Sequence, residues 1–193
     1  KSEGTWTAQT NDYGNDWSEL RKKILLRDGY KCRACGKTLA TTQLHVHHIL
    51  PIKSFADASL ANTASNLVSL CPACHSLAEL NVRFRSGLAA AGNALRNLAP
   101  LFVMCEREDI GSLSEVKSVL ADGLPSILVY DNIPGGLGLS RKLYENHHKW
   151  IASAIEAIAY CPCEEGCPAC VGPVGEQGYG GKNEGIALLR GLL

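Results

Sequence analysis

The stretch from Tyr30 to His75 opens with Y-K-C-R-A-C-G (30–36), passes through L-H-V-H-H-I-L-P (44–51) and closes with S-N-L-V-S-L-C-P-A-C-H (65–75). Its two C-x-x-C knuckles, Cys32/Cys35 and Cys71/Cys74, bring four sulfurs together. Four thiolates or imidazoles in a tetrahedron are the donor set that zinc takes. The 35 residues between the knuckles exceed what a simple ribbon needs, so something folds between them. That insert holds His45, His47, His48 and Asn66, and His75 directly follows the last sulfur. Over Gln43 to Ile49, Leu44 and Val46 alternate with His45 and His47. This is the period-2 pattern of a short strand with one apolar and one imidazole face, and Pro51 stops it.

Upstream, Asp16 to Asp28 reads as a helix. Asp16 with Glu19 fits a capping box, Leu20 and Ile24 share a face, and Gly29 ends it. Its outer side carries Arg21, Lys22, Lys23 and Arg27, a stripe that suits either solvent or a phosphate backbone. The net charge of the 193 residues is zero, but it is unevenly spread. Residues 1–85 carry 11 Lys/Arg against 7 Asp/Glu, and residues 86–193 carry 8 against 12. The front is thus the better electrostatic match for nucleic acid.

The string W-S-E-L-R-K-K-I-L-L-R-D-G-Y-K-C-R-A-C-G (17–36), followed by the His-rich and second-knuckle segments, resembles the HNH endonuclease family, the ββα-metal nucleases. The resemblance covers about residues 13–80. It implies that His47 ligates a catalytic metal, magnesium or manganese, and that His48 is the general base for the attacking water. It further implies that Asn66 orients that base and ties down its loop, that His75 is the second metal ligand, and that Cys32, Cys35, Cys71 and Cys74 hold a structural zinc. The chemistry suits these residues: a neutral imidazole, with a pKa near ~6.5, can accept a proton at physiological pH. His45 is a candidate phosphate contact or a half-exposed strand residue. Many relatives carry a basic residue soon after the final His, whereas this chain runs Ser76-Leu77-Ala78-Glu79.

Beyond Asn81 the character changes, which puts a domain boundary near 81–87. Residues 53–66 read as loop and His75 to Leu80 as a helix start. Leu88 to Leu98 reads as a second helix, Leu101 to Met104 and Ile127 to Tyr130 as strands, and Ser114 to Leu120 as a helix between them. A turn-rich stretch over 131–138 leads to one helix from Leu139 to Ala159. Cys161-Pro-Cys163 and Cys167-Pro-Ala-Cys170 then put four sulfurs within ten residues, a compact zinc group, with an iron–sulfur cluster as the alternative. A Gly-rich loop (172–181) precedes a terminal helix. The turn Pro134 to Gly138 is neither a Walker A loop nor a dinucleotide fingerprint and reads as a tight structural turn, with Asp131 capping it.

L-F-V-M-C-E-R-E-D-I-G (101–111), V-Y-D-N-I-P-G-G-L-G-L (129–139) and C-P-C-E-E-G-C-P-A-C (161–170) resemble the zinc-binding C-terminal domain of MrfA-like DEAD/DEAH-box helicases, a domain also found in some phage-defence helicases. The resemblance implies that Cys161, Cys163, Cys167 and Cys170 are zinc ligands. Cys105 is left over as a buried free thiol. The chain has no phosphate loop and no Asp-Glu-x-His box, so a helicase motor would lie upstream or in another subunit. The start at Lys1 without a Met is what an excised fragment would show.

No run of 18 apolar residues marks a membrane span, and residues 1–17 lack the apolar core of a secretory signal. Disulfides are the competing reading of nine cysteines. The paired C-x-x-C spacing beside His favours metal, and with it a reducing, cytoplasmic setting. The expectation is an α+β chain. A ββα-metal HNH module with a zinc knuckle pair (1–83) is followed by a small zinc-binding α/β domain (84–193). The expected activity is metal-dependent DNA cleavage or nicking, coupled to a helicase in restriction or phage defence. The alternative is a non-catalytic zinc-stabilised DNA-binding and docking module of a helicase. An RNA substrate is compatible with the same residues.

Overall fold

The computed structural model describes residues 13–14, 16–55, 57–173 and 181–193. It separates into two compact units, one ending at Val82 and the other running from Arg83 to Leu193. The polar lead-in lies outside the described residues apart from Tyr13 and Gly14, as does 174–180 of the Gly-rich loop.

In the front unit, α1 (Trp17–Arg27) precedes β1 (His45–His48), a short α2 (Ala58–Ala61), β2 (Leu67–Leu70) and the first turns of α3 (Pro72–Leu98). β1 and β2 pair antiparallel, with His45 opposite Leu70 and His48 opposite Leu67. The expected apolar face of β1 is realised. Leu44 is fully buried and packs with Leu25, Leu70, Cys32 and Cys71, with Val46 and Val68 at the margin. Burying a leucine side chain of this kind contributes about 1.5–3 kcal/mol.

α1 ends against β2 through Asp28. Its carboxylate takes the backbone N–H of Ser69 at 2.9 Å and the Arg27 guanidinium at 2.8 and 3.0 Å. The capping box expected of Asp16 and Glu19 is not formed: Asp16 is the N-cap, but its side chain makes no capping hydrogen bond. The loop expected over 53–66 contains short turns of helix, including α2, but no long element.

The rear unit holds the rest of α3, α4 (Pro100–Val103), the antiparallel pair β3 (Ile110–Glu115) and β4 (Ser126–Asp131), α5 (Leu139–Glu145), α6 (His147–Ala159) and α7 (Lys182–Arg190). Its core gathers Leu95, Val103, Ile110, Leu143, Trp150, Ile158 and Leu189. Small residues let α7 close on α3: a Cβ at Gly87 would lie 2.7 Å from that of Glu184. Trp150 buries its ring and donates Nε1–H to the Leu95 carbonyl at 2.9 Å, linking α6 to α3.

Four expectations for elements here are corrected. Leu101 to Val103 is helical, not extended, because Pro100 at the first helical position presets the turn, and Met104 ends it in the left-handed region. Ser114 to Leu120 is not a helix: residues through Glu115 pair with β4, and only Val119–Ala121 forms a 3-10 turn. The helix expected from Leu139 to Ala159 is broken at Asn146, whose Nδ2–H donates to the Lys142 carbonyl at 3.0 Å and caps α5. The helices expected separately at His75 and Leu88 are one element, α3, since the segment between them holds no proline and the cost of Gly87 is only about 1 kcal/mol.

Candidate functional site

β1 presents its histidines to two different surroundings, as the alternation of a strand requires. His45 and His47 lie on the side of α3. The His47 ring meets that of His75 edge-on at 4.9 Å between centroids, and the His45 ring lies 5.2 Å from it. His75 is placed by the second knuckle, its N–H bonded to the Cys71 carbonyl at the start of α3. One turn on, Glu79 brings Oε1 to 3.6 Å from His75 Nδ1. Burial holds His47 below the usual imidazole pKa. The nearby His75 adds to this, and the Glu79 carboxylate opposes it. A neutral imidazole is the form that ligates a cation. Imidazoles are donors for first-row transition ions, and a carboxylate suits harder ions such as manganese or magnesium.

His48 lies on the other side of β1 and is 8% exposed. Its ring stacks on Trp17 (5.3 Å, 13°) with Tyr13 beyond (5.9 Å, 24°). Its Nε2 is 2.9 Å from Asn62 Oδ1. Burial lowers its pKa, with the Asn62 hydrogen bond opposing, which favours the proton-accepting form. Asn66, also buried, uses its side chain on loop backbone. Its Oδ1 accepts the Leu50 N–H at 2.8 Å, and its Nδ2 donates to the carbonyls of Leu50 and Ala61 at 3.0 and 2.9 Å. The side chain hydrogen-bonded to His48 is therefore Asn62, not Asn66. Sequence reading passed over Asn62, and its only signal was an amide in the insert. Glu79 was noticed only as a missing basic residue.

The basic stripe on α1 divides. Arg21 donates to the Leu44 carbonyl at 2.9 Å. Arg27 directs four of its five N–H donors to Asp28 and to the carbonyls of Ala64 and Leu67. Lys22 and Lys23 are exposed.

Two groups of cysteines gather their sulfurs within 4.8 Å: Cys32, Cys35, Cys71, Cys74 and Cys161, Cys163, Cys167, Cys170. All are free thiols, as is Cys105, so the described cysteines form no disulfide. Individual separations are 3.7 Å for Cys35–Cys71, 3.6 Å for Cys161–Cys167 and 3.5 Å for Cys163–Cys170. A tetrahedron with Zn–S bonds of ~2.3 Å has edges of ~3.8 Å, so both groups match the dimensions of a zinc site.

Their electrostatics agree with this. Burial works against ionising Cys32, yet the backbone amides of Cys71, Cys35 and Ala34 bring it down to about 6. Hydrogen bonding with the Cys71 and Cys35 sulfurs, together with burial, pushes Cys74 up to about 12. In the rear group, burial of Cys167 is outweighed by the amide of Cys170 and by Cys161, leaving it at about 7, whereas burial and the neighbouring sulfurs raise Cys170 to about 12. Each group thus holds thiols pulled in opposite directions, Cys32 and Cys71 down against Cys74 in front, Cys167 down against Cys163 and Cys170 behind, and a dication is what lets four thiolates coexist. The two groups thus support two structural zinc ions. Lys182 completes the rear group: its Nζ donates to the carbonyls of Cys161 and Cys163, both at 2.7 Å.

The turn after β4 is filled from within. Asp131 accepts the backbone N–H of Leu137, Leu139 and Ser140 at 2.8, 3.0 and 2.7 Å. These bonds, that of Ser140 foremost, hold its carboxyl far below the usual range.

A zinc-knuckled strand pair backed by a helix, followed by a helical unit closed with a second four-cysteine group, defines a two-module zinc protein. Residues 32–79 match the family model of the HNH endonuclease, and residues 91–171 match that of the MrfA Zn-binding domain. It is 36% identical over 85 residues to the uncharacterized ATP-dependent helicase YprA of Bacillus subtilis (strain 168), covering 44% of this chain and 11% of that one. It is 33% identical over 76 residues to the uncharacterized protein MJ1572.1 of Methanocaldococcus jannaschii, covering 38% of this chain and 68% of the relative. Among solved structures, the DUF1998 helicase MrfA bound to DNA superposes with a TM-score of 0.52 at 32% identity, covering 57% of this chain and 15% of that one. The chain thus spans only a small part of the helicases it matches. No described helix is long and apolar enough to cross a membrane.

Proposed function

We propose that this chain is a metal-dependent DNA endonuclease or nickase whose front module (1–83) cuts and whose rear module (84–193) docks on a helicase motor. The observation that carries the reading is the division of labour along β1. His47 faces His75, a pairing suited to a metal, while the next residue, His48, is buried and held among aromatic rings by an amide, as suits a base. Asn66 fixes the loop after β1 through three backbone contacts. Lys22 and Lys23, with His45 and the remaining donors of Arg21 and Arg27, supply phosphate contacts.

His48 takes a proton from water as the water oxygen bonds to phosphorus and the bond to the 3′ oxygen breaks. His47 and His75 would hold a divalent ion, magnesium or manganese, which would supply positive charge to offset that developing on the phosphate and the departing oxygen. The helicase likeness supports DNA as substrate and a motor as partner, since MrfA is a helicase solved with DNA. A cytoplasmic role in restriction or phage defence is the setting that fits this pairing and nine free thiols.

The test is supercoiled plasmid incubated with the zinc-loaded chain and magnesium or manganese, with EDTA as control and an RNA substrate in parallel. Nicked or linear plasmid supports the reading. Intact plasmid under both metals supports the non-catalytic docking module instead, and cleavage of RNA alone reassigns the substrate.

A further inference from the structure

Three candidates outside the two zinc groups stand out: the filled turn at Asp131, the exposed apolar residues of the rear unit, and the amide beside His48. Asp131 already occupies its own anion site, and nothing in the structure shows what covers Met104 or Val119. The amide carries furthest.

Asn62 sits between two groups that fix its orientation. Its Nδ2–H donates to the Tyr13 carbonyl at 2.9 Å. A carbonyl only accepts, so the nitrogen end of the amide must face Tyr13 and the oxygen end must face His48. An amide oxygen also only accepts. The 2.9 Å contact between Asn62 Oδ1 and His48 Nε2 therefore requires the proton on Nε2. In the neutral ring the lone pair is then on Nδ1, for which no described residue supplies a hydrogen-bond partner. The stack on Trp17 and Tyr13 keeps the ring plane from turning.

We infer that Asn62 is the positioning residue of the catalytic base, holding His48 as the Nε2–H tautomer so that Nδ1 is the atom that takes the proton from water. This rests on the reading of His48 as the base. The device reaches from the segment before α1, through the loop after β1, to the strand itself. Its chain of hydrogen bonds runs Tyr13 C=O, Asn62 amide, His48 imidazole. Asn62 does not touch the reacting atoms; it decides which nitrogen is available to them. Partners that orient metal-bound imidazoles typically contribute ~10–100-fold to activity, and a comparable contribution is expected of one that orients a base.

The experiment uses the full zinc-loaded chain labelled with 15N-histidine. Long-range proton–nitrogen correlation near neutral pH distinguishes a protonated ring nitrogen from a bare one, and His48→Ala assigns the signals. Wild type is expected to show His48 protonated at Nε2 alone. Asn62→Leu is expected to mix the two tautomers at His48, leave the other five histidines unchanged, and lower kcat for plasmid cleavage ~10–100-fold at unchanged KM. Asn62→Asp keeps an oxygen facing the ring and is expected to retain the Nε2–H form. It also serves as the test if the leucine variant fails to hold two zincs. A wild-type His48 protonated at Nδ1, an unaltered tautomer in Asn62→Leu, or loss of the Nε2–H form in Asn62→Asp overturns the inference. Wild-type cleavage by His48→Ala, with the tautomer pattern as expected, instead removes the base assignment and leaves Asn62 as a structural anchor.

Discussion

Asp28 and Ser69 lie 41 positions apart in sequence, yet the carboxylate of one accepts the backbone N–H of the other at 2.9 Å. Burial pushes this carboxyl up, but the Arg27 and Ser69 hydrogen bonds outweigh it, and its pKa falls below the ordinary value. Asp131 is shifted in the same direction by its amide cradle. A depressed folded pKa stabilises above the unfolded value of ~3.9 and loses that contribution as pH falls through the folded one. Thermal melts should therefore show stability dropping as pH falls below about 4. Asp28→Asn should melt lower than wild type at pH 7 and flatten the acid limb. An acid limb unchanged by the substitution counts against the tie between α1 and β2.

His48→Ala should cut plasmid ~10²–10⁴-fold more slowly, the usual cost of a lost general base. Zinc content and DNA affinity should stay at wild-type levels. Gel quantification beside a binding isotherm checks both, and near-wild-type cleavage would sink the assignment.

Elemental analysis should return two zinc ions per chain. Removing them with a strong chelator should loosen each module locally, because zinc binding contributes to folding in units this small. Cys105→Ser should leave the stoichiometry at two. A count of one, or iron in place of zinc, contradicts the assignment of both four-cysteine groups.

Lys182→Met should weaken the rear zinc selectively. The ammonium holds the carbonyls of both Cys161 and Cys163 and offsets part of the charge of four thiolates. Loss of such a partner costs ~10–100-fold in metal affinity. Competition with a colorimetric chelator should show one zinc leaving earlier and the other unmoved.

Glu79→Gln should raise the manganese concentration needed for half-maximal cleavage by ~10-fold, in line with other groups that support metal-bound imidazoles. The carboxylate lies against His75 and acts on His47. A titration of cleavage rate against manganese measures it, and an unchanged midpoint assigns Glu79 to the solvated face of α3.

The sequence was most readable where local chemistry dictates geometry. Cys-x-x-Cys spacing announced both sulfur groups, and the alternation around His47 announced a strand. It was least readable where distant partners decide. Residues from Ser114 join a strand because β4 pairs with them, and a four-residue apolar run such as Leu101 to Met104 has no period of its own. The partner of His48 was hidden for a related reason: Asn62 and Asn66 are both amides in one loop, and only the folded chain shows that the first meets the ring while the second meets backbone. Arg27 looked like its neighbours Lys22 and Lys23, but its planar fork of donors found carbonyls that an ammonium earlier on the helix does not face.

The carboxylate of Asp131 has a consequence for signalling. The three amides it gathers at the head of α5 are the groups that a nucleotide tail would use, and they are already taken by a counter-charge covalently attached to the same chain. A tethered group is present at high local concentration and does not diffuse away, so ATP or its products gain no foothold at this turn.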